Sequence, residues 1–165
     1  MNIREITKDD ASNFINLVKQ VEKESEFMLF EPDERKITLE QQFKRIESMQ
    51  LEENSTIFIA ENVDKLVGYL VVIGGSAIRN KHSAYLVIGV LKQFSGLGIG
   101  TKLFEKLQEW SVQHKIHRLE LTVMNHNERA ISLYKKAGFE IEGTKRNSLF
   151  VNGTYIDEYY MSKLL

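Results

Sequence analysis

The chain has 165 residues with no cysteine and one proline, carries a formal charge of −1, and is 42% hydrophobic and 27% charged. Those values suit one globular domain over residues 1–165, long enough to bury a core without cross-links. They exclude disulfides, thiolate metal sites and a cysteine nucleophile, and they supply no net field to gather nucleic acid or an anionic membrane.

The N-terminal MNIREITKDD is charged and lacks the apolar stretch of a secretion signal. No apolar run nears the ~20 residues of a membrane-spanning helix. The expectation is a cytoplasmic protein with no nucleic-acid and no membrane partner. Asn2 to Ile6 alternates and reads as a strand, and Thr7 or Asp9 can cap the helix that follows. In that helix Phe14, Leu17, Val18 and Val21 share one face. Thr38 can cap a second helix, with Leu39, Phe43, Ile46 and Met49 as its apolar stripe.

From Ser55 to Gly75 the pattern changes to two strands joined at Asn62 to Lys65, a hairpin. Ser83 to Leu91 is a further strand. Ile99, Leu103, Leu107 and Trp110 fall on one face of the next helix, and Arg118 to Met124 is a strand. NERAISLYKKAG is a short helix stopped by Gly138. FEIEGTKR and TYIDEYYMSKL are two last strands, with VNG as the turn between them. Antiparallel hairpins around one strand–helix–strand crossover imply a mixed sheet covered by helices, α+β or α/β.

SGLGIGTKLF, Ser95 to Phe104, places Gly96, Gly98 and Gly100 at alternate positions and then turns helical. The first turn of a helix carries N–H groups without internal partners at the positive end of its dipole. A phosphate can be held there by backbone alone, and glycines clear away the Cβ atoms and permit positive φ. A dinucleotide fingerprint is excluded because its third glycine would fall on Thr101 or Leu103, and a P-loop because no Gly-Lys-Ser/Thr follows. Two readings stay open on the glycines alone: a pyrophosphate cradle, or a tight turn with no ligand.

VIGVLKQFSGLGIGTKLFEKL followed by LTVMNHNERAISLYKKAGFEIEGTKR resembles the GCN5-related N-acetyltransferase family, over a region from Ile57 to Leu165. In the register set by the helix, the family's Q/R-x-x-G-x-G/A signature falls on Ser95, Gly98 and Gly100. Ser95 departs from the usual Gln or Arg. The resemblance implies a predominantly antiparallel sheet of about seven strands, splayed in the middle and flanked by about four helices. It implies acetyl-coenzyme A as acetyl donor and no metal. The diphosphate would rest on backbone of Gly96, Leu97, Gly98, Ile99, Gly100 and Thr101. The pantetheine arm would run beside Ile88, Gly89 and Val90 like an added strand.

The resemblance also implies that Tyr134 protonates the leaving sulfur. The match is reasonable, since a phenol's pKa of about 10 lies close to a thiol's of about 8.5. Asn127 would contact the coenzyme arm, and it is equally a good helix N-cap. Ala130 and Gly138 read as packing positions. The glutamate that some members carry on the strand before the glycine loop is missing. Glu120, Glu31, Asp157 and Glu158 remain as carboxylates, each better suited to the surface, and no base is assigned. His82, His114, His117 and His126 make no metal site. Among Lys102, Lys106, Lys135 and Lys136, one could meet the coenzyme's 3′-phosphate.

The segments Glu24 to Thr38 and Lys145 to Leu165 would line the acceptor side. One is acidic and aromatic and the other tyrosine-rich, which suits a small cationic amine or a peptide N-terminus. The same aromatics could instead be core and hairpin pairs. The tyrosine-rich final strand offers a surface for a homodimer. The alternative to an enzyme is a coenzyme A-binding sensor or structural module of the same fold.

Overall fold

The computed structural model describes residues 1–165. Its strands are β1 (Asn2–Glu5), β2 (Thr56–Asn62), β3 (Lys65–Gly74), β4 (Ser83–Val90), β5 (Arg118–Met124), β6 (Glu140–Val151) and β7 (Thr154–Leu164). Its helices are α1 (Ala11–Glu24), α2 (Leu39–Gln50), α3 (Ile99–Gln113) and α4 (Glu128–Lys136). They form one seven-stranded sheet in the order β1-β2-β3-β4-β5-β7-β6. Every neighbouring pair is antiparallel except β4 and β5, which α3 joins as a crossover. This is the α+β architecture, with seven strands and four helices.

Local chemistry sets these elements. Val63 and Asp64 have φ of 47° and 61°, so the two residues between β2 and β3 turn the chain in the hand that hairpins require. Asn152 and Gly153 do the same between β6 and β7, at φ 50° and 78°. Thr38 caps α2 reciprocally: its hydroxyl accepts from the Gln41 N–H at 3.1 Å, and the Gln41 side chain accepts from the Thr38 N–H at 2.9 Å. At the head of α1 the N-cap is neither Thr7 nor Asp9 but Asp10. Thr7 opens a short 3₁₀ turn, Lys8–Asp10, and the Asp10 carboxylate accepts from the Thr7 N–H while clasping Arg4.

Two expectations are corrected. The buried stripe of α2 is Gln42, Ile46 and Met49, while Leu39 and Phe43 stay exposed. The helix is rolled so that an amide faces the sheet, and Phe43 lies under the Lys8 ammonium instead. β6 also runs past Arg146 to Val151. Irregularities between Ile141 and Gly143 and between Lys145 and Leu149 absorb its polar middle, where Asn147 has φ 48°.

The helices occupy both faces. A Cβ on Gly68 would meet Ile99 of α3, whereas the next side chain, Tyr69, packs edge-on against Phe14 of α1. Side chains alternate along a strand, so α1 and α3 cover opposite sides. Ile99, Leu103, Leu107 and Trp110 all enter the core, as the helical period requires. The Tyr69 ring lies across Gly89 of the neighbouring strand, where a Cβ would come within 2.6 Å of it.

Gly89→Ala is therefore expected to destabilise the fold by about 1–3 kcal/mol through overpacking. Urea unfolding measures the loss, and Tyr69→Leu in the same chain should recover most of it. An unchanged midpoint in the single variant would show that the ring does not depend on that glycine.

Candidate functional site

β4 and β5 separate soon after they meet. They pair only at Ser83 with Arg118, Ala84 with Leu119 and Tyr85 with Glu120. Beyond that point β4 stays with β3 as far as Val90, and β5 stays with β7 as far as Met124. A wedge-shaped gap results. At its closed end the Tyr85 and Thr122 hydroxyls hydrogen-bond across the strands at 2.9 Å.

The backbone along the gap can be read from the ladder. Leu91 N–H donates to Val67 O, and Gly75 N–H donates to Ser83 O, both at 2.9 Å. In an antiparallel pair alternate residues exchange these bonds. The register between those two points turns the amides of Tyr85, Val87 and Gly89 toward β3. It turns those of Leu86, Ile88 and Val90 toward the gap. Ile88 and Val90 thus offer free edge, while Gly89 does not: its part is to admit Tyr69.

The glycine loop stands at the open end. Gly96 and Gly98 take positive φ, 76° and 80°, and Gly98 is the N-cap of α3. The first helical bond is Lys102 N–H to Gly98 O. None of the amides from Gly96 to Thr101 donates to a protein acceptor, and no side chain caps the helix. The glycines differ in what their bareness serves. A Cβ on Gly98 would meet nothing within 4 Å. One on Gly100 would strike Leu133 of α4 at 2.7 Å, so that glycine lets two helices pack. One on Gly96 would come within 2.9 Å of the Arg129 guanidinium. Arg129, two residues after Asn127, is the cation brought to the loop. Lys102, Lys106, Lys135 and Lys136 are solvated, and Lys106 is tied to Glu109.

Asn127 caps α4, its side chain accepting from the Ala130 N–H at 3.3 Å. About two turns later Tyr134 is buried, its ring edge-on to Phe104 and tilted on Phe139. Burial, and then the nearby Tyr85, push its phenol above the ordinary range. It therefore stays protonated at neutral pH.

The candidate carboxylates are mostly engaged. Glu120 pairs with Arg118 at 2.8 Å, Asp157 accepts from the Asn147 N–H, and Glu158 accepts from the Ser148 hydroxyl. Glu31 is exposed. The segment after α1 reaches the open end, where Phe27 packs on His126 with ring centroids 5.2 Å apart. Glu24, at the last turn of α1, accepts from the Lys92 N–H at 2.7 Å and from the Gln20 amide at 2.9 Å. Those bonds hold its carboxyl below the usual range. A carboxylate on α1 thus fixes the chain as it leaves β4 for the glycine loop. Reading for periodicity passed over Glu24, Glu22 and Arg129, because a polar residue on a helix end carries no repeating signal. No group of three or more His, Asp or Glu side chains stands together as a metal site would need, and no helix is long and apolar enough to cross a membrane.

Comparison with known proteins bears on this geometry. The Acetyltransferase (GNAT) family model matches residues 18–139. The chain is 36% identical over 100 residues to the L-amino acid N-acetyltransferase AaaT of Escherichia coli (strain K12), an alignment covering 60% of this chain and 62% of that protein. It spans about half to three fifths of the length of the first curated relatives it matches. The crystal structure of an acetyltransferase of the GNAT family from Streptococcus pneumoniae superposes with a TM-score of 0.95 at 29% identity, over 99% of this chain and 98% of that one. yncA from Salmonella typhimurium, solved with its cofactor acetyl-CoA, shares the fold with a TM-score of 0.87 at 18% identity, over 99% of this chain and 93% of that one.

The Glu24 contact makes a pH prediction. Its folded pKa is depressed, so the bond is present above the ordinary carboxylate pKa of about 4.3 and is lost only as pH falls well below it. Amide exchange at Lys92 should stay protected from neutral pH down through that range. In Glu24→Ala the protection should be missing at every pH. Equal protection in both proteins would remove Glu24 from the loop's support.

Proposed function

The chain belongs to the Acetyltransferase (GNAT) family, and from that premise we propose that it moves an acetyl group from acetyl-coenzyme A to a primary amine by direct attack. One observation carries this reading. The unused amides of Gly96–Thr101 open at the same end of the gap as the unpaired edge of β4.

The residues present fit the coenzyme. Amides at a helix N-terminus favour a diphosphate, and the Arg129 guanidinium beside Gly96 adds a charge of the right sign. Ile88 and Val90 would pair with the amide-bearing arm as an added strand would. Asn127, besides capping α4, would contact that arm. When bound, acetyl-coenzyme A supplies a thioester, an acetyl group already activated for transfer.

The acceptor's nitrogen forms the new bond to the acetyl carbon as the carbon–sulfur bond breaks. Its proton passes to water, and the Tyr134 hydroxyl gives a proton to the sulfur. Burial keeps Tyr134 in the donating form, while the same raised pKa sets it further from the thiol than an ordinary phenol. The amide edge of β4 suits the polarised carbonyl, since fixed N–H groups stabilise developing charge without reorganising. The likeness to an L-amino acid N-acetyltransferase supports an amine acceptor.

Tyr134→Phe should lower kcat by about 100-fold while leaving coenzyme affinity within about twofold. Release of free thiol from acetyl-coenzyme A over a panel of amines measures the first, and calorimetry the second. Because the pKa is raised, the wild-type rate should show no decline up to about pH 10, the ordinary phenol value. Unchanged turnover in the variant would remove Tyr134 from the chemistry. No turnover with any amine, with coenzyme binding intact, would favour a binding module.

Gly98→Val places a branched side chain at φ 80° and sets its methyls where the amides open. Coenzyme affinity should fall at least about tenfold, with the melting transition still cooperative. Normal affinity in a folded variant would overturn the cradle.

A further inference from the structure

A hollow of about 630 Å³, counting its open mouth, lies between α1, α2 and the face of β3 and β4. Its polar lining is unusual. Tyr69 and Gln42 are only 2% and 4% exposed, yet the Tyr69 hydroxyl and the Gln42 Nε2 have no hydrogen-bond partner. Buried polar atoms are ordinarily satisfied, so two orphans in one hollow point to a missing partner. Arg45 follows Gln42 by one helical turn at the rim, with no carboxylate in ion-pairing reach, and partial burial and the like charge of Arg35 lower its pKa. Lys19 lines the hollow from α1. The one carboxylate present, Glu22, is buried and already bound to Arg35 at 3.2 Å.

The unpaired groups favour one kind of ligand. Gln42 Nε2 and Arg45 can only donate, and the phenol can donate as well. An ammonium could satisfy neither of the first two, and a polyamine would meet Lys19 and Arg45 as like charges. A carboxylate can accept from each of them. The rest of the lining is apolar, including Ile15, Val18, Ile37 and Val71. The acidic residues of the early loop do not alter this balance: Glu31, Asp33 and Glu34 are exposed, and Asp33 lies beside Lys23.

We infer that this hollow receives the carboxylate of an amine acceptor, so that the chain acetylates α-amino acids with apolar side chains rather than polyamines or peptide N-termini. The inference rests on the transferase reading above for the reaction, and on the orphaned donors alone for the carboxylate. The hollow also borders the strand that edges the gap. Val87 lines it, and the Tyr69 ring lies on Gly89, both on the strand whose other edge is free. An α-amino group lies two bonds from the carboxyl carbon, which suits a site where one end is anchored and the other must meet an acetyl group.

The test uses the whole chain with acetyl-coenzyme A. Leucine, methionine and phenylalanine are each compared with their amides and with the amines left by decarboxylation, and spermidine is added. At least one amino acid should exceed its amide and its amine in kcat/KM by about tenfold or more. In Arg45→Met that preference should collapse to about twofold or less. Arg45 is exposed and unpaired, so the variant should fold as the wild type does. Preference for an amide, an amine or spermidine, or a preference untouched in Arg45→Met, overturns the inference and leaves the transferase standing. Calorimetry of the amino acids on the protein saturated with coenzyme A separates the two ideas. Binding that Arg45→Met abolishes, without turnover of any amine, upholds the carboxylate site and rejects the transferase. No binding and no turnover rejects the site.

Discussion

The whole architecture of the site follows from how briefly β4 and β5 pair. Their ladder spans Ser83–Tyr85 and Arg118–Glu120 and then stops. A parallel pair that continued would satisfy the outward amides of Leu86, Ile88 and Val90 and leave nothing for a ligand. Because β3 and β7 hold the two strands along their full lengths, the sheet can part in the middle without losing cohesion. The Tyr85–Thr122 hydrogen bond marks where it parts. The free edge is thus a property of topology, supplied by strands on either side, and needs no local strain.

The glycines around this gap divide their work. Gly98 is bare toward open space, Gly100 is bare for Leu133, Gly96 is bare beneath Arg129, and Gly89 is bare for Tyr69. The first leaves open space before the unused amides, the second fastens α3 to α4, and the last lets a phenol reach the face opposite α3. The two sides of the sheet are coupled through that phenol. The ring that fills Gly89's missing side chain carries the hydroxyl that stands unpartnered in the hollow under α1 and α2. Glu24 adds a second link, since a residue of α1 orients the chain just before the glycine loop. Helices on one face of the sheet therefore help to set the geometry of the loop at the open end of the gap.

Much of this was legible in the residues. Asn-Gly and the short gap at Val63–Asp64 announced hairpins, and the spacing of Leu103, Leu107 and Trp110 announced a buried helix face. The glycine motif was set by the helical spacing that follows it, whereas Tyr134 was singled out only by the family resemblance. What stayed hidden was of two kinds. A motif records that a side chain is missing but not what occupies its space, and protein atoms fill the side-chain positions of Gly89 and Gly100. Periodicity counts apolar residues, so Gln42 and Glu22 were invisible on buried faces, and α2 was read one step around its axis through Leu39 and Phe43. The gap itself had no local signal, because it is an absence of pairing between strands separated by a whole helix.

The central claim is that two sets of unused amides, one on β4 and one in the glycine loop, jointly hold the coenzyme. Residue-resolved amide hydrogen exchange, with and without saturating coenzyme A, tests it most directly. Exchange at Ile88, Val90 and Gly98–Thr101 is expected to slow at least about tenfold, while Gly89, already bonded to β3, stays as it was. Tight binding that left Ile88, Val90 and the loop amides exchanging at their free rates would contradict it.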